Sequence, residues 1–200
     1  MESYMNRISN TGIVPVVKIL EKEDAYPLAK ALLNGGIDVI EVTYRSEHAT
    51  SAIQTISKEL PDMLVGAGTV LSVDQAKEAV EAGAKFIITP GFNTKVVQWC
   101  LDHDIEVYPG VSTASEIEMA LSMGLTQLKF FPAESSGGAK KLKDLSAPYA
   151  NVHFMPTGGI NTKNMHDYLA LPNVEAIGGS FMLPNDLVVA KDWDGIEALS

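Results

Sequence analysis

Lys129 ends a short apolar run, Gln127-Leu128-Lys129-Phe130-Phe131-Pro132. A lysine there, with aromatic residues on its far side, loses part of its water shell, and desolvation disfavours the ammonium form. A free amine is what an enzyme needs to condense with a substrate ketone and form a Schiff base. The alternative for one lysine alone is a side chain whose stem lies on apolar surface while its head reaches solvent. Glu41 follows Val39-Ile40, an apolar setting that a charge occupies at a cost. A carboxylate near such an amine can move the protons of carbinolamine dehydration, enamine formation and C–C bond making or breaking. Taken by itself, Glu41 reads equally well as a charge paired with Arg45 or pointing outward. The planar guanidinium of Arg45 suits two hydrogen bonds to the carboxylate of a 2-oxo acid. Its alternative is a surface arginine paired with Glu47.

Two glycine-rich turns add an anion site. Thr157-Gly158-Gly159 and Gly178-Gly179-Ser180 allow close approach of backbone N–H groups to a phosphate, and Ser180 adds a hydroxyl donor. Gly-Gly pairs are also ordinary loop punctuation. Lys18 is the rival nucleophile, but it lacks an aromatic flank. His48, His103, His153 and His166 show no ligand spacing with carboxylates or Cys100. Asp102-His103-Asp104 reads as a polar helix-to-strand loop, and Trp99 and Cys100 fit helix packing. The motifs give no reason to propose a metal.

The elements that must position these residues alternate. Short β-rich runs occupy Ile13–Ile19, Ile37–Val42, Met63–Gly66, Phe86–Ile88, Ile105–Tyr108, Gln127–Phe130, Val152–Met155 and Glu175–Ile177. Amphipathic stretches fall between them at Lys22–Asn34, Ser46–Glu59, Ser72–Ala82, Thr94–Asp102, Thr113–Met123, Gly138–Leu145, Asn161–Ala170 and Pro184–Leu199. Ser72, Thr113 and Asn161 read as N-caps, while Gly35-Gly36, Gly83 and Gly124 supply left-handed C-caps. Near-continuous apolar strands separated by helices indicate parallel strands covered on both faces. Eight such units predict a (β/α)₈ TIM barrel, a single compact domain over residues 1–200. An open doubly wound sheet is the competing architecture. The barrel is preferred because candidate residues follow most strands, and only a barrel brings those ends to one mouth.

The bulk properties narrow the partners. The chain has 200 residues, 46% of them hydrophobic and 20% charged, with a net charge of −10 and no long Lys/Arg run. That argues against nucleic acid or an anionic membrane as partner, though not against a small anionic substrate. The single cysteine, Cys100, permits no intrachain disulfide and fits a reducing cytosol. The start Met1-Glu2-Ser3-Tyr4 lacks a basic-then-apolar leader, and no apolar run approaches membrane length. A cytoplasmic protein is expected.

Taken together, several segments resemble the bacterial 2-keto-3-deoxy-6-phosphogluconate (KDPG) aldolase family, which includes 4-hydroxy-2-oxoglutarate (KHG) aldolases. They are Val14-Pro15-Val16, Glu41-Val42-Thr43-Tyr44-Arg45, Gly66-Ala67-Gly68-Thr69, Lys129 through Glu134, Pro156-Thr157-Gly158-Gly159-Ile160 and Ile177-Gly178-Gly179-Ser180. The resemblance implies a homotrimeric class I aldolase of the Entner–Doudoroff route, acting on a 2-oxo acid or sugar phosphate without a cofactor. Lys129 matches its Schiff-base lysine and Glu41 its proton-transferring glutamate. Arg45, Thr69 and Pro90 match pyruvate-side positions, Phe131 packs on the substrate, and Thr157 contacts the pyruvyl moiety. Gly158, Gly159, Gly179 and Ser180 match the phosphate site. Tyr44 and Lys18 depart from the aliphatic residues expected at those positions. Away from the resemblance, three rivals stay open: a metal-dependent class II aldolase, a phosphosugar isomerase using Glu41 as base, and a phosphate-binding regulatory module.

Overall fold

A computed structural model describes residues 3–200 of the chain. Met1 and Glu2, the start of the expected domain and of the segment read for a leader, lie outside them.

Strands and helices alternate in the expected order. The strands are β1 (Ile13–Val17), β2 (Val39–Thr43), β3 (Leu64–Gly68), β4 (Phe86–Ile88), β5 (Glu106–Tyr108), β6 (Gly110–Val111), β7 (Gln127–Phe130), β8 (His153–Pro156) and β9 (Ile177–Gly179). The helices are α1 (Tyr4–Thr11), α2 (Ala25–Asn34), α3 (Ala49–Glu59), α4 (Val73–Glu81), α5 (Thr94–Asp102), α6 (Ala114–Ser122), α7 (Gly138–Leu145), α8 (Met165–Leu169), α9 (Asn185–Ala190) and α10 (Trp193–Leu199). Every strand pairing is parallel.

Among the described residues the ladders form a six-stranded sheet, β5-β4-β3-β2-β1-β9, and a three-stranded sheet, β6-β7-β8. This is a curled parallel α/β sheet, and its ladders stop short of the expected closed ring of eight. The fifth expected strand occurs as β5, and a further short strand, β6, forms beyond its expected end, separated from it by Pro109, which has no N–H to give a ladder. β5 pairs with β4, and β6 pairs with β7. Between β8 and β9 only isolated bridges occur, Phe154 to Val174 and Thr157 to Gly178.

The two faces of the sheet follow the period of two along each strand. Ile40, Val42, Val65, Ala67 and Ile87 pack outward into the helix-covered core. Val14, Val39, Leu64, Phe86, Ile88, Tyr108 and Met155 form a separate cluster on the other face, completed by Met5 and Ile8 of α1. Helix α1 was not expected from the sequence. Its Ser3 hydroxyl caps Met5 N–H, Glu106 accepts from Tyr4 N–H at 2.9 Å, and Arg7 pairs with Asp38 at 2.7 Å. These contacts fasten α1 across the N-terminal ends of the strands and leave the C-terminal ends for the site.

Four helix boundaries differ from expectation, the first being α3, which starts at Ala49 rather than Ser46. Asn161 is not an N-cap: it opens a turn, its Oδ1 accepting from Lys163 N–H at 2.9 Å, and α8 begins only at Met165. The stretch Pro184–Leu199 breaks at Lys191, which takes a left-handed conformation (φ 55°), and Asp192 caps α10. Lys22–Asp24 is a 3₁₀ turn preceding α2. Ser72 and Thr113 cap as expected, Thr113 and Glu116 forming a complete capping box.

Candidate active site

Glu41 lies on β2 two residues beyond Val39 and therefore on the same inner face. Lys129 lies on β7, in register with Gly110 on one side and Met155 on the other. The curl of the sheet brings these side chains together over a separation of 88 residues: Lys129 Nζ donates to Glu41 Oε1 at 3.1 Å and to Oε2 at 3.3 Å. Both are buried, Lys129 at 4% exposure and Glu41 at 0%. The ammonium end also sits 5.4 Å from the centre of the Phe131 ring, so the aromatic flank is real. The snorkelling alternative fails at this lysine, because its head group is turned inward and bonded. Lys18, the rival, is exposed.

Arg45 follows β2 and is exposed, its Nε donating to Thr43 Oγ1 at 3.0 Å rather than pairing with Glu41 or Glu47. Thr43 is itself buried and donates to Val17 O at 2.7 Å, so β1 orients the arginine through one hydroxyl. Arg45 borders a hollow of about 230 Å³ shared with Lys18, Ile19, Leu20, Ser46, Glu47 and His48. A hollow of about 670 Å³ is lined by Pro90, Val70 and Phe92 among others, and one of about 810 Å³ lies beside Tyr4, Lys85 and Glu106 at the opposite end of the sheet. The buried pair, rather than concavity, marks the site.

The remaining expected residues follow the same ends of the strands. Thr69 comes directly after β3 with φ 54°, a left-handed conformation uncommon outside glycine. Pro90 follows β4 beside the buried Thr89, whose hydroxyl donates to Gly91 O at 2.7 Å. Phe131 follows β7. Thr157 follows β8, is buried, and its Oγ1 has no hydrogen-bond partner among the described residues. A buried hydroxyl left without a partner is costly, and it is available to a bound ligand.

Gly158 and Gly159 turn with φ of 104° and 80°, and Thr157 bridges Gly178 across to β9, followed by Gly179 and the exposed Ser180. Among the described residues, the N–H groups of Gly159 and Ser180 donate to no protein acceptor. An outward set of unpaired N–H groups is a ready anion cradle.

Sequence reasoning missed the role of Thr43 and that of Gly68, where an added Cβ would collide with the Glu41 carboxylate. No local signal marks them, since each depends on a neighbouring strand, Thr43 on the Val17 carbonyl of β1 and Gly68 on the Glu41 side chain of β2. Tyr44, one of the two departures, packs on the helix-side core and meets Thr50 Oγ1 at 3.1 Å. Burial, partly offset by that hydrogen bond, raises its hydroxyl above the ordinary tyrosine range.

Fold and site together define an α/β protein whose strand C-termini gather a buried amine–carboxylate pair beside an arginine and two glycine turns. The sequence model of the KDPG and KHG aldolase family matches residues 4–199. A 2-dehydro-3-deoxy-phosphogluconate aldolase of Treponema pallidum is 46% identical over 200 residues, covering 100% of this chain and 95% of the relative. The KHG/KDPG aldolase of Escherichia coli K12 is 46% identical over 194 residues, 96% of this chain and 91% of the relative. A crystal structure of KDPG aldolase from Legionella pneumophila, with pyruvate captured at low pH as a covalent carbinolamine intermediate, aligns with a TM-score of 0.96. It is 41% identical and the match covers 99% of this chain and 96% of that one. The chain belongs to the KDPG and KHG aldolase family.

Proposed function

We propose that this chain is a class I aldolase. It cleaves 2-dehydro-3-deoxy-6-phosphogluconate to pyruvate and glyceraldehyde 3-phosphate, and 4-hydroxy-2-oxoglutarate to pyruvate and glyoxylate. The observation that carries the reading is the buried contact of Lys129 Nζ with Glu41 Oε1 at 3.1 Å, within one proton transfer. Relatives named for both substrates support the pairing of activities.

The lysine amine, having passed a proton to Glu41, attacks the C2 ketone and gives a carbinolamine. Proton return and loss of water leave an iminium that draws electrons from C3. Glu41, through a water, removes the C4 hydroxyl proton; the C3–C4 bond breaks, the aldehyde leaves, and its electron pair forms an enamine. Protonation at C3 and addition of water release pyruvate and restore the amine. Arg45, Thr69 and Pro90 hold the pyruvate end, with Thr157 Oγ1 donating to it and Phe131 packing on the chain. Gly158, Gly159, Gly179 and Ser180 hold the phosphate. No cofactor takes part.

The same reading treats residues 1–200 as one domain in which the ring of strands closes through the β5–Pro109–β6 segment and the β8–β9 bridges. It also makes the enzyme a cytoplasmic homotrimer. The test is borohydride reduction with pyruvate: the wild type gains the mass of a reduced pyruvyl adduct on Lys129, and Lys129→Ala does not. An unchanged adduct on the variant would move the chemistry elsewhere, first to Lys18.

A further inference from the structure

Glu134 and Tyr168 take no part in the chemistry above, yet they meet directly behind the Gly158–Gly159 turn. Tyr168, on α8, is 1% exposed and its hydroxyl donates to Glu134 Oε1. The stem of Glu134 lies flat on Gly159, where an added Cβ would sit 2.7 Å from Glu134 Cγ and 2.8 Å from Glu134 Cβ. The same segment grips the turn by its backbone. Ala133 N–H donates to Thr157 O at 2.8 Å and Glu134 N–H to Gly158 O at 3.1 Å. These bonds use the carbonyls of the turn, while the N–H group of Gly159 is taken by no protein acceptor among the described residues. Consecutive glycines have wide conformational freedom, so the shape of this turn is set by what packs against it.

We infer that Glu134 and Tyr168 are positioning residues: they hold the Gly158–Gly159 turn in the shape that receives the phosphate of the substrate, and so set the preference for phosphorylated over unphosphorylated 2-oxo acids. The inference rests on the phosphate role proposed above for that turn. A carboxylate near a phosphate is repulsive unless its charge is directed away, and the phenol of Tyr168 holds it toward α8. Burial first, then the hydrogen bond and charge of Glu134 and the charge of Asp167, keep the Tyr168 hydroxyl well above the ordinary tyrosine range. It therefore remains a donor at neutral pH.

The experiment measures kcat and KM of the full chain on both substrates for the wild type, Tyr168→Phe, Glu134→Ala and Glu134→Gln, with the Tm of each. Loss of one hydrogen bond to a charged group corresponds to roughly tenfold in binding. Tyr168→Phe and Glu134→Ala should raise KM for the phosphorylated substrate by about that factor and change KM for 4-hydroxy-2-oxoglutarate by less than about twofold. Glu134→Gln keeps the stem and an oxygen that accepts from the phenol, so its KM should return to within about threefold of wild type. Equal losses on both substrates, or an unmoved KM for the phosphorylated one, overturn the inference alone. A wild type that forms the Lys129 adduct but gains nothing from substrate phosphate overturns the phosphate site and this inference together.

Discussion

Gly68 and Glu41 are in such close contact that a Cβ on the glycine would lie 2.0 Å from Glu41 Oε1. The adjacent strands β2 and β3 are both fully buried here, and Glu41 is in register with Gly66. Side chains on the inner face alternate, so Gly68 is the next inward position after Gly66, and its missing side chain is the space that the carboxylate occupies.

Gly68→Ala therefore pushes the carboxylate off Lys129. A misplaced general acid/base costs roughly 10²–10⁴ in rate, so kcat should fall by at least about a hundredfold. Steady-state kinetics with a melting curve checks this. A folded Gly68→Ala protein with wild-type kcat would show that Glu41 does not move the proton.

Breaking the Lys129–Glu41 pair from one side should destabilise the fold. Removing one partner of a buried pair leaves an uncompensated charge, at a cost of about 3–5 kcal/mol. Lys129→Met alone should show that loss in urea unfolding, and adding Glu41→Gln should recover most of it. If the double variant is as unstable as the single one, burial of an unpaired carboxylate is not the cause.

Cys100 is fully buried on α5, and that burial pushes its thiol up to about 12. At pH 8 only about one thiol in 10⁴ is ionised on that basis, and the thiolate is the reactive form. The native protein should resist an aromatic disulfide reagent for hours and react within seconds once denaturant is added. Rapid labelling of the folded protein would contradict the burial.

Glu116 links acid stability to the start of α6. Burial pulls its carboxyl upward, but the N–H groups of Ser112 and Thr113 and their hydroxyls outweigh it and hold the carboxyl below its ordinary value. A group depressed in the folded state contributes stability above its unfolded pKa, about 4.3 for glutamate, and loses it as pH falls through the folded value. Glu116→Gln should thus lower Tm near neutral pH and flatten the decline of Tm below about pH 4.5. Parallel wild-type and variant curves across that range would remove Glu116 from the acid transition.

Much of this was legible along the chain because it is local. Phe86–Ile88, Gln127–Phe130, Thr94–Asp102 and Gly138–Leu145 occur where their periodicity and flanking residues predict. The misses are places where a distant partner outvotes the local pattern. Helix α1 shows only Met5 and Ile8 as buried residues in a polar stretch, and it forms because Glu106 and Asp38 receive it. Asn161 has the chemistry of a cap, yet both its own side chain and that of Asn164 turn back on Gly159 O, at 3.3 and 3.1 Å, delaying α8. Strand β6 lies beyond the expected end of the fifth strand and forms because β7 pairs with it at Lys129 and Phe130.

By itself the sequence determined the alternation of strands and helices, the reactive residue types at strand ends, and membership of the aldolase family. Those properties depend on side-chain periodicity and on chemistry carried within a few residues. Only the tertiary structure decided that Lys129 meets Glu41, that Val17 of β1 anchors Thr43 behind Arg45, and that Gly68 leaves room for a carboxylate. Each of those contacts joins separate strands or loops, so it depends on register and on the curl of the sheet, which no local spacing encodes.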